Sequence, residues 1–252
     1  YVDRAAHAAA CQFTGSGLRG GRFRFSDAAH DDGEKTVMGV KGRFRGEDVV
    51  RAAVARPETA RFMAAKLARR FLADDPTDAE IEAIAAAWTK HEGVVGEVLR
   101  ELLSSAEFFA PHRRRAVVRC PAAFVVAALK VAGVADPPKP VDLARRVLAM
   151  GRALFDPPSV KGYAGGAAWR HPTARLACLD AVFALTSDEN LVLSPPDLSS
   201  RAAYAAAARA VLGVVPDDAE WAAIADAAPN DAPHRDRRRL AVLLAHPEFD
   251  RC

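Results

Sequence analysis

The sequence predicts a mainly α-helical globular protein, a multi-helix array with a duplicated helical unit and one small β-hairpin. Ala-rich segments with apolar residues at helical spacing fill most of the chain. One stretch, Phe23–Phe44, has β character, because its first phenylalanines alternate with arginines. A third observation is an internal repeat at an offset of about 140 residues, which indicates two copies of one helical unit.

Composition sets limits on the function. The 252 residues are 50% hydrophobic and 27% charged, which is ordinary for a globular protein with a large core. The net charge of +3 is lower than a dedicated nucleic-acid-binding domain usually carries, so we do not expect a nucleic-acid partner. No apolar run reaches the roughly 20 residues of a membrane span. The four cysteines form no CxxC pair, which argues against a zinc site.

The predicted β-hairpin occupies residues 22–44. Phe23 and Phe25 mark the first strand, and Thr36–Met38 is expected to be the returning strand. Asp32-Gly33 lies in the connection, where a residue that tolerates positive φ is needed. Because a two-stranded hairpin is marginal in water, we expect this one to pack against the helices.

The remaining elements are predicted as helices, with boundaries at proline, glycine and capping residues. The expected helices are 2–13, 46–56, 57–73, 77–91, 94–105, 121–134, 141–154, 172–185, 198–213, 217–228 and 235–245. Residues 1–135 would hold the hairpin and the first repeat unit, about 60–109. Residues 141–252 would hold the irregular loop 155–169 and the second repeat unit, about 200–250. We expect one compact domain, with the proline-rich residues 136–140 as a stiff linker.

The repeat is visible in aligned segments. Pro76–Trp88 matches Pro216–Ala228 at an offset of 140, and Leu102–Phe108 matches Leu243–Phe249 at an offset of 141. The capping box of the first copy, Thr77 with Glu80, becomes Asp217 with Glu220 in the second. A unit of helix, proline, capped helix and helix is therefore predicted to occur twice.

A cluster of ionisable residues in the hairpin stretch is the first candidate site. Carboxylates beside an imidazole and an amine suit acid–base chemistry or a metal ion held by oxygen ligands. The candidate catalytic residues are Asp27, His30, Asp31 and Lys35, and the candidate metal ligands are His30 and Asp31. The EF-hand pattern does not fit, because Ala28 and Gly39 would occupy ligand positions. The alternative is a polar turn whose aspartates cap the local backbone.

The irregular loop Phe155–Trp169 is the second candidate site. Its prolines and glycines exclude a regular element, and paired glycines allow close approach of a ligand or of another backbone. The candidate ligand-binding residues are Lys161, Gly165, Gly166 and Trp169. The loop lacks the GxGxxG and Walker patterns, so phosphate binding is not indicated. The alternative is a packed loop with Tyr163 and Trp169 as aromatic anchors.

Several segments resemble a known family. HDDGEKTVMG (His30–Gly39) and DPPSVKGYAGGAAW (Asp156–Trp169) are the most specific, and ARPETARFMAAKLARRF and LLSSAEFF agree as well. Together they resemble the bacterial family catalogued as domain of unknown function 1800, over nearly the whole chain. Two positions depart from the family pattern: Ser16 replaces a usual tryptophan, and KGYAGG replaces KGWPGG. The chain resembles the C-terminal part of a member.

The resemblance implies a mainly helical protein that is exported to the periplasm or beyond. It also implies a sulfatase- or phosphatase-like protein encoded nearby, but no established activity, cofactor or catalytic residue. Few polar groups in the sequence are arranged as a nucleophile–base pair, and repeated helical units often serve as binding surfaces. We therefore expect a partner-binding or scaffold protein, exported as the resemblance implies. The alternative is an enzyme, for example a metal-assisted hydrolase, with a joint site between residues 27–35 and loop 155–169.

Overall fold

The computed structural model describes residues 4–163, 165–230 and 234–252. The first helix is predicted to begin at Val2, but residues 2 and 3 lie outside the described residues. The chain divides into two compact units, and each is described by itself below. The first unit contains the residues up to Arg69 together with Pro76–Ser105, and the second contains Arg70–Asp75 together with Ala106–Cys252. The proline-rich residues 136–140 lie within the second unit.

The first unit combines helices with two small sheets. Its elements are α1 (Arg4–Cys11), β1 (Ser16–Arg19), β2 (Arg22–Phe25), β3 (Lys35–Val37), β4 (Val40–Gly42), α2 (Gly46–Val54), α3 (Pro57–Phe71), α4 (Asp78–Lys90) and α5 (Val95–Leu103). The last two residues of α3 belong to the second unit. Helices α4 and α5 pack on each other, and α1 packs on β3. Buried alanines of α3, such as Ala64 and Ala68, let other groups approach that helix closely.

The mainly α prediction is confirmed, since 56% of the structure is helical. The predicted strand pairing is wrong. Strand β2 does not pair with residues 36–38; it pairs antiparallel with β1, while β3 pairs with β4. The reason is local: Gly20 and Gly21 both adopt positive φ and close a two-residue turn between β1 and β2. Residues 38 and 39 close the second hairpin in the same way.

The second unit is a helical array around one apolar core. Its helices are α6 (Pro121–Val131), α7 (Pro140–Ala149), α8 (Pro172–Ser187), α9 (Arg201–Leu212), α10 (Asp218–Ala227) and α11 (Arg235–Ala245). Helix α8 packs extensively on α11, and α6 packs on both α7 and α8. The core includes Phe124, Met150, Leu240 and Phe249. Helix α6 is apolar on most faces, and α11 has the bounds predicted from the sequence.

Both predicted capping boxes are present. The Thr77 hydroxyl accepts from the Glu80 amide, and the Glu80 carboxylate accepts from the Thr77 amide at 2.7 Å. Asp217 and Glu220 make the same reciprocal pair at the start of α10, at 2.8 and 3.0 Å. Each box satisfies two amides that a helix start would otherwise leave unpaired.

Two arginines, the half-buried Arg115 and the buried Arg239, tie distant parts of the second unit together. Arg115 donates to the carbonyl oxygens of Val211 at 2.9 Å, Glu248 at 2.6 Å and Arg251 at 2.9 Å. Beside it, residues 117–119 and 250–252 exchange backbone hydrogen bonds as a short antiparallel bridge. Arg239 is 1% exposed and donates to Leu198 and Ser199 carbonyls. The Arg115 contacts join residues 96 to 136 positions apart, and the Arg239 contacts join residues 40 and 41 positions apart.

Among the described residues, no helix is long and apolar enough to cross a membrane. This agrees with the absence of a long apolar run in the sequence.

Candidate functional site

The first candidate cluster lies between the two hairpins of the first unit. A short 3-10 turn, Asp27–Ala29, follows β2, and residues 30–34 then lead to Lys35 at the start of β3. Strong turn formers in SDAAHDDGE explain why no strand forms here. The cluster is therefore a loop that connects two sheets rather than the turn of one hairpin.

His30 is buried, with its side chain 2% exposed, and anchors this loop. Its Nδ1 donates to the Thr14 carbonyl oxygen at 2.9 Å, and its ring packs on Phe25 at a centroid distance of 5.2 Å. Because a carbonyl can only accept, Nδ1 carries the proton and Nε2 is the acceptor in the neutral ring. Nε2 lies 3.7 Å from the Asp32 carboxylate. The Asp31 amide donates to the Thr14 hydroxyl at 2.9 Å, so Thr14 holds two consecutive loop residues.

Asp31 and Lys35 form a closed unit. The Lys35 ammonium lies 2.9 Å from the Asp31 carboxylate and donates to the carbonyl oxygens of Asp31 at 2.8 Å and Gly33 at 2.9 Å. The Gly33 amide donates to the same carboxylate at 2.9 Å. The hydrogen bond from Lys35, followed by that from Gly33, lowers the pKa of the Asp31 carboxyl. All three protons of the ammonium therefore have oxygen partners within the loop.

Asp27 has a different environment. Its exposed carboxylate pairs with Arg45 at 2.9 Å, and the Arg45 guanidinium also lies over the Phe25 ring, 4.8 Å from its centroid. The structure thus gives each candidate catalytic residue a local partner. Within the described residues, His30 and Asp31 do not join a third ligand in a metal-binding group. Catalytic and metal-binding roles for this cluster stay predictions.

A cavity of about 580 Å³ adjoins the cluster. Asp31 and Lys35 form part of its wall, and α1 contributes His7 and Cys11. The Cys11 Sγ lies 3.7 Å from the His7 Nε2, one helical turn away. The sequence analysis assigned no role to either residue. Their spacing of four on a helix was the available signal, since residues at i and i+4 share a face.

The β1–β2 hairpin, called the hairpin surface below (Ser16–Phe25), exposes large apolar side chains. Leu18 and Phe23 are directly opposite each other in the register and are 80% and 67% exposed. Three arginines occupy the other face, because side chains alternate along each strand. They are Arg19, Arg22 and Arg24, and none has a side-chain partner among the described residues. Sequence analysis recognised the alternation in β2 but missed β1.

In the second unit, the irregular loop has a packed end. Gly166 adopts a φ of +51° and is buried against Asp74, whose Cγ would lie 2.8 Å from an added Cβ. Asp74 in turn accepts from the Val118 amide at 2.7 Å. Arg152 lies between two aromatic rings, 4.5 Å from Tyr163 and 6.0 Å from Trp169. Trp169 and Gly166 therefore make packing contacts, and a ligand-binding role for them stays a prediction.

The other end of the loop is exposed. Lys161 and Gly165 face solvent, and a side chain added at Gly165 would meet no atom within 4 Å. Phe155 is 100% exposed and has a φ of +62°, a backbone conformation that residues other than glycine rarely adopt. Sequence reasoning missed Phe155. The two parts of the predicted joint site belong to different compact units, and the joint site stays a prediction.

The family model described as "Protein of unknown function (DUF1800)" matches residues 1–251. The chain belongs to the DUF1800 family. The expected resemblance is thus confirmed over essentially the whole chain. Searches of curated proteins and of solved structures found no match to this DUF1800 chain. The candidate sites of this DUF1800 protein therefore rest on their geometry.

Proposed function

We propose that this DUF1800 chain is a partner-binding protein and that the hairpin surface makes the contact. The observation that carries the proposal is the exposed cross-strand pair Leu18 and Phe23. Burying one such side chain contributes about 1.5–3 kcal/mol, so leaving two adjacent ones in water is unfavourable. Clustered exposed apolar side chains mark interaction sites more often than isolated ones do.

The arginines of the hairpin surface indicate the chemistry of the partner. The three guanidinium groups lie on one small sheet and have no carboxylate partners among the described residues. They repel one another, so binding to an acidic surface is favoured. Arginine and aromatic residues are also the types enriched at protein interfaces. We therefore propose an acidic protein surface with an apolar depression for Leu18 and Phe23.

A duplicated helical unit supports a scaffold role, and we propose that α3–α5 and α9–α11 are its two copies. Two matching contacts favour duplication beyond the sequence similarity. Arg61 pairs with Asp78 at 2.8 Å, and Arg201 pairs with Asp218, which are the same positions at an offset of 140. The paired capping boxes recur at the same offset. Such repeated helices usually form rigid supports for a binding element.

The first partner to test comes from the family resemblance, which implies export and a sulfatase- or phosphatase-like protein encoded nearby. Both remain proposals. Biolayer interferometry would measure binding of that protein to the wild-type chain and to a Leu18→Ser/Phe23→Ser double variant. We expect the double variant to weaken binding at least tenfold, which corresponds to about 1.4 kcal/mol.

A matched control is Val192→Ser, because Val192 is also strongly exposed but lies in the second unit. Neutralising the three arginines with glutamine should weaken binding at low salt and reduce its salt dependence. If Val192→Ser weakens binding as much as the Leu18→Ser/Phe23→Ser double variant does, the proposal is contradicted. Binding to anionic phosphatidylglycerol vesicles, with none to the protein partner, would instead identify a membrane-contacting hairpin.

An enzyme is the second candidate function. The observation in its favour is the cavity of about 580 Å³ that brings Asp31 and Lys35 beside His7 and Cys11. A thiol within reach of an imidazole is a recurrent nucleophile–base pair. Hydrolysis of p-nitrophenyl phosphate, sulfate and acetate would be measured for the wild type and for Cys11→Ser. Elemental analysis of the purified protein would test the metal-assisted version, and the absence of stoichiometric metal would exclude that version.

A further inference from the structure

A second and larger cavity lies in the second unit, between α8 and α11. Its volume is about 740 Å³, within the range of small-molecule sites. It belongs to neither of the stretches that the sequence singled out. Helices α8 and α11, which form its walls, pack extensively on each other. The shape of the cavity is therefore fixed by the packing of these two helices.

The walls of this cavity are mainly apolar. Ala241, Val242 and Ala245 of α11 line it at spacings of one, three and four residues, which places them on one helix face. Phe183 of α8 contributes its ring from the opposite side and is half exposed. Pro247 extends the apolar wall beyond the end of α11. An occupant must therefore present an apolar body.

Two hydrogen-bond donors adjoin these walls. Arg238 lies one turn before Val242, is exposed, and has no side-chain partner among the described residues. His246 accepts a hydrogen bond at Nδ1 from the Glu248 amide at 3.0 Å. In the neutral ring the proton must then be on Nε2, which makes that atom a donor. No described group accepts from it.

The other charged groups of the lining are already engaged. Arg237 donates to the Asp188 carbonyl at 2.8 Å and to the Leu191 carbonyl at 2.5 Å, so it caps the C-terminal end of α8. Glu189 lies 3.7 Å from His234 and is largely exposed. It is the one carboxylate among the described lining residues. Two arginines, Arg237 and Arg238, and one carboxylate therefore line this apolar space, so cationic side chains outnumber anionic ones among its described lining residues.

We propose that this cavity binds an apolar monoanion, a carboxylate or sulfate group attached to an aliphatic or aromatic body. The apolar body would lie between Phe183 and the Ala241–Ala245 face. The anionic group would accept from the Arg238 guanidinium and from His246 Nε2. A charge-assisted hydrogen bond of this kind is stronger than one between neutral groups, so it discriminates against neutral and cationic analogues.

Isothermal titration calorimetry with decanoate below its micelle concentration tests this proposal. Decanol and decyltrimethylammonium are the neutral and cationic probes of the same chain length. We expect decanoate to bind at least tenfold more tightly than either, and Arg238→Gln to remove most of this preference. Ala245→Phe should abolish decanoate binding by filling the apolar space.

Arg209→Gln is the matched control, since Arg209 is an exposed arginine that has no side-chain partner in the described part of the chain and does not line the cavity. Thermal unfolding checks that each variant folds. The proposal is overturned if decanoate fails to bind, if the three probes bind equally, or if Arg209→Gln and Arg238→Gln weaken binding to the same extent. Tight binding of an acidic amphipathic peptide, with no decanoate binding, would identify the groove as a peptide site instead.

Discussion

Lys35 and Asp31 are joined by both side chain and main chain. The ammonium lies 2.9 Å from the Asp31 carboxylate and 2.8 Å from the Asp31 carbonyl oxygen. A general base needs a free lone pair, and a free ammonium is needed to bind a substrate anion. In this loop both groups are used to hold the chain. The relationship explains how residues 30–34 are held in place although they belong to no helix or strand.

Replacing Lys35 by methionine tests this structural role. The carbonyl oxygens of Asp31 and Gly33 lose their donor, so we expect Tm to fall by about 2–4 °C. The Asp31 pKa should rise toward its ordinary value, because the Lys35 hydrogen bond is the main cause of its depression. Carbon-detected NMR titration of the carboxyl measures this. Lys41→Met is the control, since Lys41 has only an exposed partner in Glu34.

The sign of the accompanying pH effect follows from linkage. The folded-state pKa of Asp31 is lowered, so its contribution to stability is present above the ordinary aspartate pKa of about 3.9. It is lost as the pH falls through the lowered value. In Lys35→Met this acid-dependent loss should be smaller than in the wild type, and an unchanged acid profile would contradict the assignment.

Gly166→Ala should destabilise the second unit. The new methyl group would lie 2.8 Å from Asp74 Cγ, and the backbone has a φ of +51°. We expect a loss of about 1–3 kcal/mol in the free energy of unfolding, measured with urea. Gly165→Ala is the neighbouring control, because its Cβ would meet open space. Similar effects at both positions would show that the contact with Asp74 is not the cause.

Arg239→Gln should also destabilise the second unit, by about 2 kcal/mol or more. The shorter side chain leaves the buried Leu198 carbonyl without its donor, and the contact with Asn230 Oδ1 at 2.9 Å is lost too. The adjacent Arg238→Gln variant should unfold at nearly the wild-type denaturant concentration, since Arg238 is exposed and has no described partner. If the two variants unfold at the same denaturant concentration, the buried hydrogen bonds of Arg239 do not stabilise the unit.

The cysteines should differ in reactivity. Burial raises the pKa of the Cys178 thiol to about 11, so at pH 8 it is protonated and shielded. Cys252 is exposed and lies at a short backbone bridge. Mass spectrometry after iodoacetamide treatment of the folded protein should find Cys252 labelled well before Cys178. Denaturant should remove the difference, and rapid native labelling of Cys178 would refute it.

Helices were predictable because their signals are local. Thr77 with Glu80 and Asp217 with Glu220 marked two helix starts, and proline opened α6 and α8. The hairpins were misjudged for a local reason as well. The turn at Gly20-Gly21 was not predicted, although two consecutive glycines can supply the positive φ angles that a tight hairpin turn requires.

The candidate sites depended on contacts that a sequence does not display. Lys35 was predicted as a chemical group, but the structure folds it onto its own loop. The cavity beside Arg238 needs α8 and α11 side by side, and these helices are separated by about 50 residues of chain. The opposite strand of the hairpin surface was missed because Ser16–Arg19 is too short and too polar to show a period of two.

The bond network of Arg115 has a consequence for biosynthesis. Arg115 is held by carbonyl oxygens 96, 133 and 136 residues later in the chain. During translation this segment therefore leaves the ribosome long before its acceptors exist. The second unit cannot complete its fold until residue 251 has emerged, and until then Arg115 lacks its acceptors on Glu248 and Arg251 while Val117 and Arg119 lack their backbone partners. We infer that this unit folds late and all at once rather than helix by helix, which lengthens the time for which a chaperone can bind the nascent chain.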